Sequence, residues 1–143
     1  MIVKELDPPA SADAFVKAGL QAEAQMAFYL RRAFSNDPSV LILNGLRLEH
    51  AGDVAQIDHL VLHPYGAIIV ESKSVTSRLK VNERGEWTRW FGGAAKGMPS
   101  PLLQAERQAD FLESYLSRYP LVAPDTRSAT DRSQHPTVAQ TPT

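Results

Sequence analysis

Asp58, Glu71 and Lys73 have the types and spacing of a site that could hold a divalent cation and act on a phosphodiester. Two strand-like runs carry them: Ala55 to Leu62 (AQIDHLVL) and Ala67 to Lys73 (AIIVESK), separated by His63, Pro64, Tyr65 and Gly66. A turn centred on Pro64 and Tyr65 pairs His63 with Gly66 and Leu62 with Ala67. Continued outward, the same register sets Asp58 opposite Glu71. Directly opposed residues share a sheet face, with Cβ atoms roughly 5 Å apart. Two carboxylates so placed repel each other unless a cation or a proton intervenes. A slip of one residue would remove the opposition, so the turn decides the site.

Glu71 and Lys73 are two apart and share a face with Ala67 and Ile69, while Ile68, Val70 and Ser72 take the other. Both faces begin apolar, which predicts a strand buried on both sides with charges at its end. Such charges are costly unless they are used. Two carboxylates suit Mg²⁺, with Mn²⁺ as a substitute, because hard cations prefer oxygen ligands. Such an ion polarises a phosphate and activates a bound water. Lys73 would orient that water or stabilise charge on the phosphoryl group. The plainer alternative is an ion pair without chemistry, since D…ExK is a short and common pattern.

Further residues bear on the same site. Glu23 lies within a helical stretch, on the face of Met26, Ala27, Leu30 and Phe34. It is either a third metal-site carboxylate or an acid at the stripe's edge reaching solvent. Gln104, in the first turn of the last helix, could donate to a phosphate or a metal-bound water, or be an ordinary surface residue. Gln56 would oppose Lys73 and could satisfy it. His50, His59, His63 and His135 form no close ligand pair, and the lack of cysteine excludes thiolate sites and disulfides. No phosphate-cradling P-loop and no GxSxG elbow is present. Trp87, Trp90 and Phe91 could stack bases or cap a hairpin core.

The elements that must position these residues follow from periodicity and punctuation. Residues 1 to 18 read as an irregular or partly helical lead-in, because Pro8 and Pro9 resist helix. Leu20 to Phe34 favours helix, ended by Asn36, Asp37 and Pro38. Val40 to Leu48 reads as a strand, with Gly52 and Asp53 marking a turn before the central hairpin. Leu79 to Asn82 and Trp87 to Phe91 form a second, shorter hairpin around Arg84 and Gly85. A loop with Gly92, Gly93, Gly97, Pro99 and Pro101 leads to an amphipathic helix, Leu102 to Tyr119, with Leu102, Ala105, Ala109, Leu112 and Leu116 on one face. Residues 121–143 are rich in Thr, Ser and Pro and predict a disordered tail. Helix, strands and closing helix give an α/β or α+β sandwich.

With 143 residues, 43% of them apolar and 22% charged, the chain predicts a single soluble domain. Neither a membrane-length apolar run nor a signal peptide is evident, so a cytoplasmic location without membrane association is the expectation. The net charge of -1 does not advertise nucleic-acid binding. Between Lys73 and Arg107, however, the chain is net positive by four, enough for a local patch that neutralises phosphates.

Three segments together resemble a known family: GLQAE (19–23), QIDHLVLHPYGAIIVESK (56–73) and SPLLQ (100–104). They are similar to the nuclease-related domain, NERD, a branch of the PD-(D/E)XK restriction-endonuclease-like superfamily. The resemblance runs from Gly19 to Tyr119 and implies a domain over residues 19–120, with a central mixed sheet flanked by an N-terminal and a C-terminal helix. It implies that Glu23 is the helix-borne acid, Asp58 the first metal-binding carboxylate, Glu71 and Lys73 the E-x-K pair, and Gln104 the closing-helix glutamine. The implied activity is Mg²⁺-dependent cleavage of nucleic acid, DNA foremost. Ser100 departs from the family's usual Asn before the proline. The family is often fused to other modules, which leaves open a stand-alone unit or one missing a partner domain. A binding or interaction domain that has lost turnover is the alternative.

Overall fold

Alternating apolar residues build the two longest strands of the protein. The structure, a computed structural model, describes residues 1–8, 14–75 and 77–119; the expected tail lies outside them. Strands β1 (Ile2–Lys4), β2 (Leu41–His50), β3 (Asp53–His63) and β4 (Gly66–Val70) form one sheet in that order. β1 is parallel to β2 and the other pairs are antiparallel, which makes the sheet mixed. Helix α1 (Ala14–Phe34) precedes β2. A second, antiparallel sheet holds β5 (Leu79–Val81), β6 (Trp87–Phe91) and β7 (Ala94–Met98), and α2 (Pro101–Ser117) closes the order. The protein is α+β, as the order of elements predicts.

Two apolar clusters sit on the main sheet. Val40, Ile42 and Val61 pack with Ile2 and with Leu30 and Phe34 of α1. Ile57 and Leu60 pack with Leu112 of α2, joined by Leu43, Leu46, Leu48, Leu62 and Ile69. Ile57 and Leu60 are three apart, which strict alternation would send to opposite faces. The break falls where Asn44↔His59 and Leu46↔Ile57 leave Gly45 opposite Asp58. Gly45 has φ 57°, a left-handed conformation, and a Cβ there would meet Leu6 at 3.4 Å. The irregularity lets Asp58 and His59 leave the repeating pattern.

The central hairpin has the predicted register, from His63↔Gly66 to His59↔Val70. Three expectations change. The expected irregular or partly helical lead-in also holds a strand, β1, while its last residues, from Ala14, already belong to α1. The amino group of Met1 donates to the carbonyls of Phe34 and Asp37, at 2.8 and 2.9 Å, and Ile2 fills the core. β4 is an edge strand, not one buried on both sides: Ile68 is exposed, while Ile69 packs toward α2. The loop after Phe91 contains β7, because Gly92 and Gly93, with φ 57° and 85°, make a two-residue turn whose twist suits a hairpin. Among the described residues, no helix is long and apolar enough to cross a membrane.

Candidate active site

The ladder between β3 and β4 stops one pair short of Asp58 and Glu71, so Glu71, Ser72 and Lys73 follow the strand instead of extending it. The Ser72 backbone N–H donates to Asp58 Oδ2 at 2.8 Å, in place of a sheet carbonyl. Lys73 Nζ lies 2.6 Å from Glu71 Oε1 and donates to Gln104 Oε1 at 3.0 Å. Gln108 Nε2 donates to Glu71 Oε2 at 3.0 Å and to the Gln56 carbonyl at 2.8 Å. Both Glu71 oxygens are thus engaged, and its side chain is only 5% exposed. The expected contact of Gln56 with Lys73 is replaced by Gln104, because the ladder ends before residue 56 is reached.

Glu23, Asp58, Glu71, Lys73 and Gln104, from α1, β3, the segment after β4 and α2, line one cleft of about 450 Å³. Glu23 is half-buried on the same stripe as Met26, Ala27, Leu30 and Phe34. Burial raises the Glu23 carboxyl above its ordinary value, and the negative charges of Asp58 and Glu71 raise it further against Lys73. Burial also raises Asp58, aided by Glu71 and opposed by the Ser72 N–H and by Lys73. The cleft thus sets three carboxyl groups against two cations, Lys73 and Arg89.

Among the described residues, no three acidic or histidine side chains converge closely enough to form a metal cluster. The donors are nevertheless hard oxygens under mutual repulsion, and that chemistry suits a divalent cation better than a soft one. Asp58 and Glu71, with Glu23 beside them, are the groups that could hold it.

Several residues at the site were not singled out by sequence. His59 is fully buried; its Nδ1 donates to Asn44 Oδ1 at 2.8 Å, and its Nε2 accepts from Ser72 Oγ at 3.1 Å. Burial lowers its pKa, so it is the neutral ring that ties Ser72, and through it Asp58, to β2. Gln108 lies one helical turn beyond Gln104, a spacing that signals a shared face. Arg89 of β6 also lines the cleft, beside Phe91, which the sequence offered as a base stack or a hairpin cap. Ser100 caps α2, its Oγ accepting from the Leu103 N–H at 3.3 Å with Pro101 next in the chain. Asn would do the same work, so the departure at this position preserves the cap.

The profile of the nuclease-related domain (NERD) matches residues 18–136. The chain belongs to the NERD family. Placement in the restriction-endonuclease-like superfamily is consistent with that membership. No curated protein and no solved structure matches the chain. In this NERD domain, a wider apolar groove of about 1070 Å³ lies between β4 and α2, lined by residues such as Ile68, Ile69, Leu112 and Leu116. Its charged lining is Glu106 and Glu113 of α2, with no lysine beside them.

Proposed function

We propose that this NERD domain hydrolyses phosphodiester bonds of nucleic acid, DNA foremost, with Mg²⁺ or Mn²⁺ held by Asp58 and Glu71. The observation that carries the reading is the meeting of Glu23, Asp58, Glu71, Lys73 and Gln104, from four separate segments, in one cleft. The cation, when bound, would polarise the phosphate and lower the pKa of a water. The chain's own groups then have distinct tasks. Lys73, held between Glu71 and Gln104, offers an ammonium to charge that develops on the phosphoryl group. Ser72 and Gln108 fix the two carboxylates. Glu23, with its raised pKa, is suited to accept or hold a proton at the cleft wall.

The test is incubation of the purified protein with plasmid and single-stranded DNA in Mg²⁺, Mn²⁺ or EDTA, beside Asp58→Asn. Metal-dependent products lost in the variant support the reading; equal cleavage by the variant counts against it. A second reading, a nucleic-acid-binding or interaction domain without turnover, draws on the Lys73–Glu71 pair, which alone would be an ordinary ion pair. Its mark is salt-dependent DNA affinity with no product in any metal.

A further inference from the structure

The second sheet presents an uneven face to the cleft. Trp87, Arg89 and Phe91 alternate along β6 and share one side. Across from Arg89 stand Leu79 and Lys96; across from Phe91 stands Ala94. Arg89 and Phe91 line the cleft, so the face toward it also carries Lys96. Two cations directly opposed on one face destabilise a sheet. Among the described residues, neither is in an ion pair. Arg89 Nε is buried without a hydrogen-bond partner, a costly state for a charged donor. The opposite face is used differently, with the Arg78 guanidinium over the Trp90 ring at 4.0 Å.

We propose that this face is the wall that grips an unpaired nucleic-acid strand, with Arg89 and Lys96 on a backbone phosphate and Phe91 stacked on the adjacent base. An anion is the partner that two opposed cations and an orphaned guanidinium nitrogen lack. Phe91 is 62% exposed at the edge of the cleft. A ring can stack on a base only where that base offers its face, and in a duplex both faces are covered by neighbouring pairs. The choice of an unpaired strand rests on the nuclease reading above and specifies its substrate.

The experiment measures anisotropy of a labelled single-stranded oligonucleotide and of a blunt duplex of equal length, in the Asp58→Asn background. The expected result is tighter binding of the single strand. Adding Phe91→Leu should weaken the single strand about tenfold and leave the duplex unchanged. Adding Arg89→Ala should reduce the single-strand salt slope by about 0.7, the loss of one phosphate contact, and Arg89→Lys should restore it. Equal affinity for both substrates, or variants that bind as their parent does, overturns the proposal. Binding of this pattern without cleavage by the unmodified protein would overturn the nuclease reading and leave the wall standing. Cleavage with Arg89 and Phe91 variants unaffected would do the reverse.

Discussion

Lys73 places its ammonium 2.6 Å from Glu71 Oε1, two residues back along the same segment, and the carboxylate is the more deeply buried partner. The pair therefore gives Glu71 a countercharge, which the proposed divalent cation would partly replace. The consequences can be measured separately as stability, metal response and turnover.

Lys73→Met removes the countercharge from a buried carboxylate. Lys73 is partly exposed, so solvent screening moderates the cost. Melting temperature in EDTA should fall by about 4 °C, the change expected from roughly 1 kcal/mol in a domain of this size. The stabilisation on adding Mg²⁺ should exceed that of the unmodified protein, since the cation then relieves more repulsion. Cleavage should drop about 100-fold or more. Thermal melts with and without Mg²⁺, beside a turnover assay, check all three.

Asp58→Asn should separate stability from activity. The folded-state pKa of Asp58 is raised, so its stabilising protonated form is fully present below the ordinary 3.8 and is lost as pH rises through the folded value. At neutral pH without metal the charge is a burden, while Asn keeps an oxygen for the Ser72 N–H. Melting in EDTA at neutral pH should rise by about 3 °C, and cleavage should disappear. The gain should shrink as pH is lowered toward 3.8. A melting series across pH for both proteins gives the answer.

His59 should set a second pH dependence, of opposite sign. Burial lowers its pKa, so the folded protein favours the neutral ring. The unfolded chain takes up a proton near the ordinary 6.5. The stability that neutral His59 contributes is therefore whole above 6.5 and is lost as pH falls through the folded value. His59→Gln, uncharged and able to bond both Asn44 and Ser72, should flatten that part of the profile. Urea unfolding at a series of pH values would show it.

Ser100 should matter to the helix and little to the chemistry. Ser100→Ala removes the oxygen that accepts from Leu103 and should cost about 1 kcal/mol. Ser100→Asn should be neutral, because both side chains cap well. Cleavage per folded molecule should be unchanged in both, as urea melts and a turnover assay would report.

Much of this arrangement was legible in the sequence, for identifiable reasons. The His-Pro-Tyr-Gly turn fixed the central register, which alternation then carried to His59 and Val70. Helical spacing set Glu23 on a stripe with Met26, Ala27, Leu30 and Phe34, and the apolar repeat from Leu102 to Leu116 marked α2. What escaped was non-local. Nothing in AAKGM reads as a strand, and only the preceding Gly-Gly pair hints at β7. The Asn44–His59–Ser72 chain joins three segments through side chains, which periodicity does not encode. That β4 lies at the edge depends on which strand stands beside it, a property of the whole sheet and not of its own residues.

In the proposed site, the side chains at 58 and 71 together hold one divalent ion. Titration of Mn²⁺ into the protein, followed by the loss of the free-ion paramagnetic resonance signal, tests it most directly. One site is expected in the unmodified protein, absent from both Asp58→Asn and Glu71→Gln. Uptake that persists undiminished in either variant, or no uptake by the parent, would contradict it.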